Sequence, residues 1–487
     1  MVDIPKLSKM EAMKFEQLEL KPPTNKDEAA SIFNQFDTNG DGKISNEEIQ
    51  AQGYIAEAID EVKEFFKKFF GPVVEITRDK DGYFQYANWE PETKIVKSLD
   101  ELELRNGCCY DVRNCDITQL NISEEQLLDL TIDKTTIMTP EQKAILEPYM
   151  EAAKTPGLGI QKLHEQGFTG KGVKMAIIDQ PLGRHEEYED NIIEHNDINS
   201  EEMGWNTASM HGAAVTSIAV GKNTGVAPDA GVVYYSAVNM TNNPEEIKTY
   251  KKRIEQEIKA NKDNPHYVKY LQNKMNQFNK MGACTSNKPY VDAINKILDD
   301  NEKLPEKERV SVISISWGFD DLAPGYEELQ QAIQKAKAQG VFIVSTALDK
   351  HYGMETNGAN RNPKDDLDDP NNYEAGAFWK KDSENKPTEY KDKLLLVPMD
   401  HRTVADFKDK ESFRYEGNDG GMSWSTPWLA GIYVLAKQAD PNITPEKFWE
   451  YALSTSNECR NNDSGNYVGR IINPQELINK IQEHKAE

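Results

Sequence analysis

Short, uninterrupted apolar runs bounded by glycine mark the middle of this chain. Gly172-Val173-Lys174-Met175-Ala176-Ile177-Ile178-Asp179 ends on an acid. Val312-Ile313-Ser314-Ile315-Ser316-Trp317-Gly318 and Gly340-Val341-Phe342-Ile343-Val344-Ser345 follow later. Runs this short and this apolar predict buried strands. A longer run, Trp428 to Ala436, predicts a buried helix. Other segments carry one apolar stripe, as in Ile55 to Phe70, where Ile59, Val62, Phe65, Phe66 and Phe69 share a helical face. Thr444 to Leu453 and Glu476 to His484 read as further helices. Asn243 to Asn287, rich in Lys, Glu and Asn at helical spacing, predicts a solvated helical hairpin. Residues 71–135 are irregular and β-rich: Tyr83 to Tyr86 reads as a strand, and 116–122 and 127–137 alternate Leu or Ile with polar residues, like turns of a small solenoid. Residues 350–385, with Asp365, Asp366, Asp368 and Asp369 clustered, predict a solvated acidic insertion, with a second cation site as the alternative.

Composition narrows the class. A length of 487 residues corresponds to roughly three domains. A net charge of −25 argues against nucleic-acid and anionic membrane partners. No stretch approaches the roughly 20 apolar residues of a membrane helix. Met1 to Lys26 is charged throughout and lacks an apolar signal region, so the expected location is the cytoplasm, with secretion by a non-standard route as the alternative. The five cysteines, Cys108, Cys109, Cys115, Cys284 and Cys459, are odd in number and include an adjacent pair, which predicts reduced thiols rather than a disulfide scaffold.

Residues 37–48 add a metal signal. Asp37-Thr38-Asn39-Gly40-Asp41-Gly42-Lys43-Ile44-Ser45-Asn46-Glu47-Glu48 resembles the EF-hand calcium loop. Asp37, Asn39 and Asp41 offer side-chain oxygens, Lys43 a backbone carbonyl, Ser45 a contact through water and Glu48 a bidentate carboxylate, while Gly42 permits the sharp turn. The expected cofactor is Ca²⁺. Thr77 to Gly82 echoes the loop only in part, because Asn88 stands where a closing Glu belongs.

The candidate chemistry lies in three stretches. Gly420-Gly421-Met422-Ser423-Trp424-Ser425-Thr426-Pro427 places a serine in a glycine-flanked turn, and Pro427 suits the first turn of a helix. Ser423 is therefore expected at a helix N-terminus, where free N–H groups favour a developing negative charge. Met210-His211-Gly212-Ala213-Ala214-Val215 sets a histidine before small residues, and Asp179 closes its apolar run. The order Asp, His, Ser is one of the convergent triad orders. With Thr169-Gly170-Lys171-Gly172-Val173 and Gly225-Val226-Ala227-Pro228 around them, residues 157–456 resemble the subtilase family of serine peptidases. The resemblance implies an α/β fold: a subtilisin-like parallel sheet flanked by helices, preceded here by a small helical EF-hand segment and an irregular β-rich region. The expected layout is an EF-hand region (1–70), a β-rich linker or prodomain-like region (71–150), a peptidase domain (151–460) with insertions at 243–287 and 350–385, and a C-terminal tail helix (461–487).

The resemblance implies hydrolysis of a polypeptide substrate. His211 would take the proton of Ser423 and later protonate the leaving amine, with Asp179 orienting the imidazole. Departures stand beside each residue. Gln180-Pro181 follows the acid, Ala213-Ala214 follows His211-Gly212, and Trp424 and Trp428 flank the nucleophile. Asp349 occupies the position where the family places an oxyanion-donating asparagine, so it is expected either protonated or displaced by an amide such as Asn357 or Asn360. Ser316-Trp317-Gly318 and Thr346-Ala347-Leu348 would line a shallow apolar first subsite. The alternatives are a catalytically inactive subtilase fold used for calcium-dependent binding or signalling, and a calcium sensor with a passenger domain.

Overall fold

The computed structural model describes residues 78–485 apart from 80, 87–91, 106, 107 and 419. The calcium loop 37–48 and the amphipathic segment 55–70 lie outside the described residues.

The apolar runs form the centre of the molecule. Lys174–Asp179 (β1), Ile192–Asp197 (β2), Gly231–Ser236 (β3), Val310–Ile315 (β4) and Phe342–Ser345 (β5) build a sheet in the order β5-β4-β1-β3-β2, parallel at every pairing. The helices used below are Met210–Val220 (α1), Pro244–Ala260 (α2), Pro265–Met281 (α3), Lys288–Lys303 (α4), Tyr326–Ala338 (α5) and Met422–Ala439 (α6). Alternate β1 residues face opposite layers. Met175 and Ile177 pack with α1 and α6, whereas Ala176 and Ile178 pack with α4 and α5. Both faces are covered, which is why the strand sequences are almost continuously apolar instead of alternating.

The 243–287 insertion is a helical hairpin, as its spacing predicts, but it is not fully solvated. Tyr250, Ile254, Leu271 and Phe278 are buried between α2 and α3. Phe319, in the left-handed region at φ 57°, turns the chain after β4, and Asp320 then bonds to the Tyr250 hydroxyl and pairs with Lys274. The hairpin thus grips the loop that follows β4.

Two further sheets depart from the sequence expectation. Thr356–Arg361, inside the stretch read as an acidic insertion, is a strand paired with Tyr373–Ala375 and Leu395–Pro398. Its sequence is polar, yet Arg361 is fully buried and donates to the carbonyls of Ala153 and Thr155, each at 2.8 Å. The neighbouring aspartates cap turns of their own loop: Asp366 accepts from the Asp368 N–H and Asp369 from the Asn371 N–H. Among the described residues no three His, Cys, Asp or Glu side chains cluster as a metal site. In the third sheet, Leu130–Ile132 lies between Cys109–Asp111 and Phe413–Glu416, so chain from the β-rich region shares a sheet with the segment just before Ser423. No disulfide joins the five cysteines, and no described helix is long and apolar enough to cross a membrane.

Candidate active site

β1 sits where the chain passes from one side of the sheet to the other, and the crevice at the carboxyl ends of such strands is where α/β folds place ligands. Asp179 is the last residue of β1 and is 5 % exposed. Its Oδ1 accepts from the Gln180 N–H at 2.8 Å and lies 2.6 Å from His211 Nδ1. His211 is the second residue of α1. Ser209 caps the helix; its Oγ accepts from the His211 N–H at 3.2 Å and donates to the Gln180 side-chain carbonyl. The unusual Gln180 therefore has a role: its backbone bonds the acid and its side chain holds the cap of the histidine's helix. Tyr234, buried in β3, donates to the Gln180 carbonyl at 2.6 Å. Gly212 leaves that approach open, because a Cβ there would stand 2.7 Å from both the Gln180 carbonyl and the Tyr234 hydroxyl.

Burial opposes a charged imidazole at this position. The Asp179 carboxylate, through its charge and its bond to Nδ1, outweighs that and raises the His211 pKa above its ordinary value. Arg414 and Glu416, paired with each other in the interior, act on it in opposite senses, the arginine lowering and the glutamate raising it.

Ser423 is the second residue of α6, and His211 packs on its neighbour Trp424 with ring centroids 5.3 Å apart. The helix begins at Met422, so Pro427 lies inside it, beyond the first turn where it was expected. Proline has no N–H for the carbonyl four residues back. That carbonyl belongs to Ser423, and it accepts instead from Ser316 Oγ at 2.9 Å. The Ser423 hydroxyl donates in return to the Ser316 carbonyl at 3.5 Å; among the described residues it makes no bond to His211. The end of β4 and the start of α6 are thus joined at the candidate nucleophile. Gly420, three residues earlier, admits Asp400: a Cβ there would meet Asp400 Oδ1 at 2.1 Å.

Asp349 makes no hydrogen bond to Asp179, His211 or Ser423 among those the described residues show. It is exposed on the short helix Leu348–Tyr352. Leu348 is buried in the core, whereas Trp317 is 38 % exposed beside Ser316. Asn357 accepts from the Gly358 N–H, and Asn360 keeps its Oδ1 buried without a partner. The metal residues Asp37, Asn39, Asp41, Lys43 and Glu48 lie outside the described residues. Ser209 and Tyr234 escaped the sequence reading, whereas Gln180 stood out as a departure beside the acid and Ser316 as a subsite residue. For the Ser316 bond, the proline at position 427 held the clue, as it leaves one carbonyl in need of a donor.

Residues 170–378 match the family model described as the subtilase family, and residues 29–51 match one described as EF hand. No curated protein matches the chain. Among solved structures, the prenylagaramide maturation protease PagA is similar at 14 % identity and a TM-score of 0.40, covering 66 % of this chain and 98 % of its own. The A-subunit of the AB5 toxin from E. coli is similar at 11 % identity and a TM-score of 0.41, covering 67 % and 98 %. The PatG macrocyclase, solved in complex with peptide, is similar at 14 % identity and a TM-score of 0.40, covering 66 % and 95 %.

Proposed function

The chain carries a subtilase-family domain, and on that premise we propose that it is a serine endopeptidase cleaving polypeptides with Ser423, His211 and Asp179. The observation that carries the reading is the 2.6 Å contact between the buried Asp179 carboxylate and His211 Nδ1, on a ring packed against the first turn of α6. That contact fixes the proton on Nδ1 and leaves Nε2 as the base. For catalysis the Ser423 hydroxyl exchanges its long bond to the Ser316 carbonyl for one to Nε2. Such bonds are commonly loose without substrate and tighten in the reacting complex. Ser423 Oγ then attacks the peptide carbonyl while His211 takes its proton. The imidazolium, stabilised by Asp179, gives that proton to the leaving amine, and water releases the acyl group by the reverse path.

The backbone at the start of α6 is the proposed anion-stabilising surface. Asp349 is proposed to stand outside it. The amide proposed in its place is Asn357, whose strand pairs with Leu395–Pro398; Val397 of that strand accepts from Ser425, two residues beyond the nucleophile. Asp37, Asn39, Asp41, the Lys43 carbonyl and Glu48 are proposed to hold Ca²⁺, an all-oxygen set suited to a hard cation. Five cysteines without a disulfide among them support a reducing compartment, and the proposed location is the cytoplasm.

The inactive-fold reading draws on the Ser423 hydroxyl being turned to Ser316. A fluorophosphonate probe separates the two readings. The peptidase predicts labelling that disappears in Ser423→Ala and His211→Ala; an unlabelled wild-type chain refutes it.

A further inference from the structure

Ahead of the peptidase-like domain, residues 78, 79 and 81–86 turn back on themselves around Gly82, with Arg78 bridged to Phe84. This hairpin lies against the two loops that carry the candidate acid and base. Besides the side-chain bonds described above, those loops share a backbone hydrogen bond in which the Ser209 N–H donates to the Pro181 carbonyl at 2.8 Å. The hairpin adds a further link one residue further out. The Phe84 N–H donates to the Leu182 carbonyl, and the Gln85 carbonyl accepts from the Ala208 N–H, each at 2.8 Å. The Phe84–Gln85 segment therefore joins the chain leaving Asp179 to the chain entering His211.

The hairpin is built into its place. Tyr83 and Phe84 are 4 % and 2 % exposed. Their rings stand 5.4 and 6.2 Å from that of His195, which packs at 5.1 Å on Tyr234, the residue whose hydroxyl holds the Gln180 carbonyl. Tyr86 donates to the Arg184 carbonyl at 2.5 Å, and Arg184 pairs with Asp79 and Asp81. Two glycines permit the approach. Gly82 is left-handed at φ 91° with His195 O 2.9 Å from its Cβ position, and a Cβ on Gly183 would meet Ala208 Cβ at 2.8 Å and the Tyr86 ring at 3.2 Å.

We propose that the Phe84–Gln85 segment is a positioning element for the Asp179–His211 couple, setting the distance between the loops that carry them. This rests on the peptidase reading for its kinetic consequence, but the geometry of the couple is measurable without turnover. Misplacing a catalytic group by about 1 Å costs on the order of 10²-fold in rate. Phe84→Ala, which withdraws the ring seated on His195, and Gly183→Ala, which wedges the hairpin from the loop, test it in the full chain. Three quantities are read: kcat and KM on a peptide substrate, the acid limb of kcat/KM, and the downfield proton resonance of His211 Nδ1.

The expected result is a kcat lowered about 10- to 100-fold with KM within about twofold, an acid limb moved to lower pH, and a Nδ1 proton moved upfield. A purely structural brace would lower the melting temperature and leave kcat per folded molecule, the acid limb and the proton unchanged; that outcome overturns the proposal. If either variant fails to fold, Tyr86→Phe removes only the hydroxyl on the Arg184 carbonyl and reads the same quantities at smaller amplitude. If the wild-type chain hydrolyses nothing, the peptidase reading falls alone, because the Nδ1 proton still reports whether these substitutions disturb the couple.

Discussion

Replacing Ser316 by alanine tests the contact at Pro427 directly. In the native chain the Ser423 carbonyl accepts from Ser316 Oγ at 2.9 Å because residue 427 has no N–H to offer it. Ser316 is 7 % exposed and Ser423 half-buried, so the carbonyl that loses its donor is partly shielded from water. A hydrogen bond of this kind contributes about 0.5–1.5 kcal/mol, and an acceptor left unpaired costs about 1–3 kcal/mol. Ser316→Ala is therefore expected to destabilise the domain by about 1–2 kcal/mol. Pro427→Ala restores an N–H at the position where the helix pattern needs it, giving the Ser423 carbonyl a partner in its own helix. In that background Ser316→Ala should cost only about a few tenths of a kcal/mol, so the cycle yields a coupling of about 1 kcal/mol, within the range for directly bonded neighbours. The assay is urea unfolding of the four chains followed by tryptophan fluorescence, with Trp424 and Trp428 on the helix in question. An equal penalty for Ser316→Ala with and without the Pro427→Ala substitution would refute the reasoning, since the carbonyl would then not depend on Ser316 for want of a proline N–H.

Asp179→Asn should lower kcat about 10⁴-fold, because an amide at Oδ1 favours the wrong imidazole tautomer; peptide hydrolysis and fluorophosphonate labelling rates measure it. Its pH signature follows from the raised His211 pKa. The pair stabilises the fold fully below the ordinary imidazole pKa, and that contribution disappears as pH rises through the higher folded value. Urea midpoints taken across that window should show the slope in the native chain and not in Asp179→Asn. Glu416→Gln leaves Arg414 buried without its counter-charge and should cost about 3–5 kcal/mol. It should also lower the His211 pKa, seen as an acid limb displaced downward; an unmoved limb contradicts the coupling. Asp349→Asn should leave kcat unchanged while Asn357→Ala lowers it about 10²–10³-fold, the loss known for one such donor in subtilisin; the reverse pattern would return the oxyanion role to position 349.

The readable parts of the sequence were those whose environment is uniform. β1, β4 and β5 are buried on both faces, so their residues are apolar almost without interruption and announce themselves. The three chemistry-bearing stretches were legible for a related reason: small or apolar neighbours leave a single Asp, His or Ser conspicuous. Thr356–Arg361 was not legible, because its burial depends on the hydrogen bonds of Arg361 and its sequence carries no apolar alternation. The strands of the β-rich region are two or three residues long, too short for any period to show. Asp349 follows β5 on an exposed turn of helix, and counting along a strand does not tell where such a turn points its side chains. The Ser316–Ser423 exchange joins residues 107 apart, and no local pattern encodes such a meeting.

The mixed sheet around Leu130–Ile132 has a consequence for how the chain is made. Ile132 faces Tyr415 and Thr131 faces Glu416, partners that leave the ribosome well over half the chain later. At about 5–20 residues per second, synthesis of the intervening chain takes on the order of tens of seconds. For that interval one edge of the early strand has no mate, and closing so wide a loop is slow in its own right. A holding factor that binds nascent extended segments would therefore find a long opportunity here, until the arrival of Phe413–Glu416, the strand just ahead of the serine, completes this sheet.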